Sequence, residues 1–197
     1  MKEFGIVMLA AGASTRMGQS KQLLPVKGEP LLLRSVNAAI LSGAQKIVVV
    51  LGANEKAHRD LIRDLKVEIV FNERWETGMG SSIKTGLRAL LDLNPSLEGI
   101  VVLVCDQPLL TADHIRQLVT KHTETSKPIV ASGYAATSGV PVFFHKVYFG
   151  KLMKLKDEQG AKKVIQQNSG DVTLQPFPQG EIDLDTPEDY ERFKRSK

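Results

Sequence analysis

Residues 5–21 read GIVMLAAGASTRMGQSK. From Gly5 to Ala11 the stretch is almost entirely apolar, as suits a strand buried on both faces. At Gly12 it breaks into small residues. Gly18 follows six positions later, with Arg16 before it and Lys21 after it. Small residues let backbone N–H groups approach an anion closely. Arg16 adds a planar fork of donors and Lys21 a compact point charge. Neither standard phosphate loop fits. A Walker loop needs Gly-Lys-Ser/Thr where Gly18 is followed by Gln19, and Gly-x-Gly-x-x-Gly is absent. On spacing alone the stretch is either a strand opening into a polyphosphate loop or a glycine-rich turn with surface cations.

Working outward, further β-branched runs occur at 46–52 (KIVVVLG), 67–71 (VEIVF) and 99–105 (GIVVLVC). With residues 4–10 they predict buried strands of a parallel sheet. Helical segments lie between them. Residues 29–43 carry Pro30 near the start and Gly43 at the end. Residues 81–93 begin at serines able to cap a helix, and 111–122 begin at Thr111, another N-cap type. The alternation predicts an open α/β sheet with its functional residues at the carboxyl ends of the strands. In the last third, 127–144 reads as two extended segments around a small-residue loop. Residues 147–155 and 160–167 read as helices, and 172–177 as a weak strand. Residues 185–197 read as a terminal helix capped by Thr186, with Pro187 in its first turn.

The chain has 197 residues, 42% of them hydrophobic, which predicts one core and one domain over 1–197. A formal net charge of +4 points to anionic small ligands rather than a nucleic-acid surface. The single cysteine, Cys105, allows no internal disulfide, as expected in a reducing cytoplasm. No apolar run approaches a membrane span of about 20 residues, and the weak charge before residues 4–14 argues against a signal peptide.

Three further stretches carry chemistry. In VVLVCDQPLLT, Asp106 stands where a buried strand ends before Pro108. A carboxylate there is placed to hold Mg²⁺ against phosphate oxygens, or else to cap the next helix, a role that Thr111 already fills. In EIDLDTPEDY, Asp183 and Asp185 alternate with Ile182 and Leu184, so both acids face one side. They form either a helix-capping turn or, with Asp106, a metal site. In NERWETGMGSSIKTGL, Gly78, Gly80, Ser81 and Ser82 feed a helix start. That start either contacts a phosphate or base edge or is a plain capped turn. Trp75 reads as core or as a stacking surface. His58, His114, His122 and His145 show no metal-ligand spacing, Cys105 sits in a strand as an inert thiol, and no Gly-x-Ser-x-Gly elbow is present.

Taken together, LAAGASTRMGQSKQLLPVKGEPLL resembles the signature of the nucleotidyltransferases that attach a nucleotide to the molybdenum cofactor. GMGSS, CDQP, SGVP and DLDTPEDY follow in matching order. The resemblance covers nearly the whole chain and is nearest the cytidylyltransferase branch. It implies a three-layer α/β/α, Rossmann-like domain around a mostly parallel sheet with one antiparallel strand.

The resemblance also implies roles. Leu9, Ala10, Ala11 and Gly12 would line the nucleotide, with Arg16 and Lys21 on its triphosphate. Gly80, Ser81 and Ser82 would lie near the base. Asp106 and Asp185 would hold Mg²⁺, and Arg16, Lys21 and Asp106 would form the catalytic set. Gly139 and Pro141 would shape the acceptor side. Similar proteins carry Asp-x-Gly-Ala near the acceptor, whereas this chain has EQGA, with Glu158 in the acidic place and Asp157 one residue earlier. The implied reaction is transfer of CMP from CTP to the molybdenum cofactor in the cytoplasm, with a molybdenum hydroxylase apo-enzyme as recipient. The alternatives are another acceptor, such as methylerythritol phosphate or a sugar phosphate; a GTP-using guanylyltransferase; or a non-catalytic cofactor-insertion protein.

Overall fold

The structure is a computed structural model and describes residues 3–195. The strands are β1 (Phe4–Ala10), β2 (Pro25–Val26), β3 (Glu29–Pro30), β4 (Lys46–Leu51), β5 (Glu68–Phe71), β6 (Gly99–Val104), β7 (Ile129–Tyr134), β8 (Thr137–His145) and β9 (Val172–Pro176). The helices are α1 (Leu31–Leu41), α2 (Glu55–Ile62), α3 (Met79–Leu93), α4 (Ala112–Thr125), α5 (Phe149–Met153), α6 (Ala161–Gln167) and α7 (Pro187–Arg195). The final residues of the expected terminal helix, Ser196 and Lys197, lie outside the described residues.

Seven strands form one sheet in the order β5-β4-β1-β6-β8-β7-β9. β8 runs antiparallel to both neighbours, and every other pairing in the sheet is parallel. β2 and β3 form a separate antiparallel hairpin. The alternation of β1 explains the continuous apolar run. Ile6, Met8 and Ala10 pack with α1 and α4 residues such as Leu32, Val36, Ile115 and Leu118 on one face. Val7 and Leu9 pack on the other with α3, α5 and α6 residues such as Ile83, Leu87, Leu152 and Val164. Both faces are therefore covered, and neither tolerates a polar side chain in the central strands.

A smaller core joins Met17, Leu24, Val26, Leu31, Leu184 and Phe193. It fastens the segment after β1, the hairpin and α7 to one another. α7 opens with a capping box. The Asp189 N–H donates to Thr186 Oγ1 at 3.2 Å, and the Asp189 carboxylate accepts from the Thr186 N–H at 3.0 Å. Thr111 caps α4 in the expected way, accepting from the His114 N–H.

Several expectations need correction. Residues 67–71 do not form a strand buried on both faces. β5 is an edge strand of the sheet among the described residues, with Glu68 and Phe71 exposed and Ile69 and Val70 only partly buried. Cys105 is one residue past the end of β6, though still buried. α3 does not start at serines: it begins at Met79 after Gly78, so Ser81 and Ser82 lie within its first turn. α2, a helix that the apolar pattern does not predict, turns His58 and Ile62 inward, with Leu61 partly buried against the same core.

α3 crosses the sheet closely because Gly86 has no side chain. A Cβ there would collide with Val7 and Val50. Gly86→Val should lower stability by about 1–3 kcal/mol, the scale of overpacking. Urea unfolding should show this as a lower midpoint with an unchanged slope.

Candidate active site

β1 and β6 are parallel neighbours with Leu9 opposite Val104, so the segments leaving them start side by side. The segment after β1 turns sharply at Ser14 and Gly18, whose φ values are 55° and 68°. Its first turn is pinned from β4. The Ala53 N–H donates to Ala11 O at 3.0 Å, and a Cβ on Gly52 would lie 2.6 Å from that same oxygen. From the far end of the chain, the Leu184 N–H donates to Asp106 O at 3.1 Å while the Leu184 side chain fills the smaller core. This anchor sets Asp185 beside Asp106.

Lys21 closes the arrangement. Its Nζ donates to Asp106 Oδ2 and to Asp185 Oδ1, both at 2.8 Å. Arg16, largely exposed, donates from Nη2 to Asp185 Oδ2 at 2.9 Å. Burial disfavours the Lys21 charge, but the carboxylates, Asp106 foremost, outweigh it and raise the lysine pKa above its ordinary value. Burial pushes Asp185 up, yet the hydrogen bond and charge of Lys21, with Arg16, leave its pKa lowered. For Asp183 the Lys21 charge is outweighed. Burial, then the charges of Asp106 and Asp185, push the Asp183 pKa up to about 7. Burial and the neighbouring Asp106 push the Cys105 thiol up to about 12, so it stays protonated at neutral pH.

A cleft of about 330 Å³ opens beside the ion pairs. Leu9, Ala10, Ala11, Gly12, Lys21, Ser82 and Asp106 all border it. Trp75 borders it too, half-exposed, and so is not a core plug. Gly80 and Ser81 stand behind the wall. The Gly80 N–H donates to Asp157 O at 2.8 Å, and Ser81 Oγ lies 2.8 Å from Gly78 O. Asn72, which the sequence reading missed, organises the serines. Its Nδ2 donates to Ser81 Oγ at 2.8 Å and to Ser82 Oγ at 3.0 Å. Its only sequence signal was a polar residue directly after an apolar run.

Gly139 and Pro141 are buried in β8 and do not border the cleft. Gly139 lies under Tyr134, whose hydroxyl would be 2.6 Å from a Cβ there. Pro141 O accepts from Ser132 Oγ at 2.6 Å, and Val140 O accepts from Gln107 Nε2 at 3.2 Å. Glu158 is exposed, and Asp157 makes the contacts of that turn: with Arg74, with Thr77 Oγ1 at 2.9 Å and with Lys84 Nζ at 2.6 Å. Asp157 thereby fastens the 156–159 turn to the start of α3.

Among the described residues, no group of three or more His, Cys, Asp or Glu side chains is arranged to hold a metal ion. Asp106 and Asp185 nevertheless aim two hard anionic oxygens at one cation position, now the Lys21 ammonium. Magnesium is held by one or two carboxylates when substrate phosphates supply further oxygens. The donor set fits that ion.

A family model described as the MobA-like NTP transferase domain matches residues 6–172. The chain is 32% identical over 201 aligned positions to purine catabolism protein PucB of Bacillus subtilis, covering 96% of this chain and 95% of that protein. It is 36% identical over 117 positions to nicotine blue oxidoreductase of Paenarthrobacter nicotinovorans, covering 59% of this chain and 55% of that one. The solved complex of Rv0371c from Mycobacterium tuberculosis with manganese matches over 100% of both chains, with a TM-score of 0.81 and 26% identity. No helix among the described residues is long and apolar enough to cross a membrane.

Lys21→Met should destabilise the fold by about 1–2 kcal/mol at pH 7, between the scales of exposed and buried pairs. Because the folded Asp185 pKa is depressed, its stabilisation is complete above the unfolded value of about 3.9 and is lost as pH falls further, through the folded value. The difference in urea midpoint between the two proteins should therefore narrow below about pH 4. A constant difference from pH 7 to pH 3 would contradict the assignment.

Proposed function

The chain belongs to the family of MobA-like NTP transferase domains, and from that premise we propose that it transfers CMP from CTP to the terminal phosphate of the molybdenum cofactor, releasing pyrophosphate. We propose that the 197 residues act as one nucleotidyltransferase domain, in the cytoplasm. The observation that carries the reading is the convergence of Lys21, Asp106 and Asp185 beside a cleft bordered by residues 9–12 and Ser82. The choice of acceptor rests on the GMGSS, CDQP, SGVP and DLDTPEDY stretches.

The acceptor phosphate is already an anion at neutral pH, so it attacks the α-phosphorus of CTP without losing a proton. No histidine base is needed. What the protein must do is hold two polyanions in line and offset the charge on the moving phosphoryl group. Lys21, its pKa raised by the two carboxylates, brings a full positive charge to the cleft, which it borders. Arg16 adds a second cation from the exposed side. The backbone of 11–12 meets the phosphates without an intervening side chain at Gly12. Asp106 and Asp185 would hold Mg²⁺, which when bound neutralises phosphate oxygens. Ala11, buried at the cleft wall, narrows the space beside the base and favours a pyrimidine over a purine.

Pyrophosphate release measured with CTP, GTP and ATP, each with and without molybdenum cofactor, tests the reading. Release should require CTP and the cofactor together. Release with another phosphate acceptor alone would move the assignment to that acceptor, and cofactor binding with no release under any condition would favour an insertion protein. Asp106→Asn should lower turnover on the order of 10²–10³-fold, the scale for one preorganised electrostatic group. Ala11→Gly should reduce the CTP-to-GTP ratio of kcat/KM by about tenfold, since one methyl discriminates only weakly.

A further inference from the structure

Gln22 follows Lys21 in a short 3₁₀ turn and is 1% exposed. A carboxamide offers two donor hydrogens and two acceptor positions. Here all four are used. Nε2 donates to Gly12 O at 2.9 Å and to Ala10 O at 3.4 Å. Oε1 accepts from Ser20 Oγ at 2.9 Å and from Ser14 Oγ at 3.1 Å. The orientation of the amide is forced, because the two carbonyls can only accept. One buried side chain thus ties together the end of β1, the first turn of the segment, its left-handed corner at Ser14 and the residue before Lys21. Ser14 Oγ in turn accepts from the Lys21 N–H at 3.2 Å.

A second layer lies behind it. His58, on α2 and fully buried, places Nε2 2.7 Å from Ser20 Oγ. With its single hydroxyl proton directed at Gln22 Oε1, Ser20 takes the hydrogen of this contact from His58 Nε2, an arrangement the tautomer measurement below tests. The bare Nδ1 is then an acceptor, and it has no hydrogen-bond partner among the described residues. A relay results: His58 donates to Ser20, Ser20 to Gln22, and Gln22 to the carbonyls that shape the segment.

We propose that Gln22 and His58 are positioning residues for the nucleotide's phosphates, acting through the 10–21 segment and not on the ligand. Gln22 borders the cleft, but its hydrogen-bonding positions are filled, so what it supplies is the shape in which the backbone N–H groups and Lys21 meet an anion. This deepens the nucleotidyltransferase reading and rests on it.

The test measures Mg²⁺-dependent binding of CTP and of inorganic pyrophosphate by calorimetry, with steady-state KM and kcat. Gln22→Met should weaken both ligands by about tenfold, the equivalent of roughly one lost hydrogen-bond contribution. KM for CTP should rise while the KM of the acceptor stays within about twofold, a split that general destabilisation does not produce. His58→Gln, which restores a donor to Ser20, should keep more affinity than His58→Phe. Nitrogen NMR of the wild type should show the His58 hydrogen on Nε2. A folded Gln22→Met with wild-type affinity, a loss confined to CTP and spared for pyrophosphate, or an Nδ1–H tautomer of His58 would each overturn the proposal. If Gln22→Met fails to fold, the His58 pair and the tautomer decide it. Wild-type protein that binds neither ligand would refute the underlying reading as well, an outcome distinct from equal binding by wild type and variants.

Discussion

One ammonium group, Nζ of Lys21, holds the site together. It joins Asp106 at the end of β6 to Asp185 near the far end of the chain, separations of 85 and 164 residues. Removing it would leave two carboxylates facing each other next to Asp183, whose own pKa is already pushed up to about 7 by burial and by those two charges. The pairing therefore satisfies two requirements. It neutralises an acidic corner in the absence of ligand, and it keeps a full positive charge at the border of the cleft. A divalent ion would compete with Lys21 for the same oxygens, and a displaced Lys21 would be available to phosphate.

Behind this interaction stands the sheet order. β1 and β6 are adjacent and parallel, so their carboxyl ends open at the same level, and the two segments that matter begin side by side. Ligand sites of open α/β sheets lie at such ends. The smaller core of Met17, Leu24, Leu184 and Phe193 does what the sheet cannot do: it fixes the C-terminal segment, which belongs to no strand, so that Asp185 arrives in register. Precision comes from glycines at close approaches, as at Gly52 against the backbone Ala11 O and at Gly139 under the Tyr134 side chain.

Much of this was legible in the residues. Continuous β-branched runs marked β1, β4 and β6, Thr111 and Thr186 marked helix starts, and Asp106 was singled out by its place at a strand end. Burial within the sheet was less legible. VEIVF has the composition of a central strand but lies at the edge, since strand order is set by crossovers that the pattern does not encode. The serines of α3 read as caps because Ser favours that position, yet Gly78 and Gly80 must lie against the 156–159 backbone, and that contact moves the helix start to Met79. Gln22 and Asn72 were missed for one reason. Each amide nitrogen donates to oxygens that only the fold brings near, Ala10 O and Gly12 O for Gln22 and the Ser81 and Ser82 hydroxyls for Asn72, and amphipathic periodicity gives no sign of a buried amide whose hydrogen bonds are met.

The most direct test is a crystal structure of the protein with Mg²⁺ and a CTP analogue that cannot lose pyrophosphate. The expected result has the triphosphate along residues 11–21, the ion on Asp106 and Asp185, and Lys21 Nζ moved from the carboxylates to phosphate oxygens. A triphosphate bound elsewhere, or bound while Lys21 still bridges both carboxylates, would contradict it.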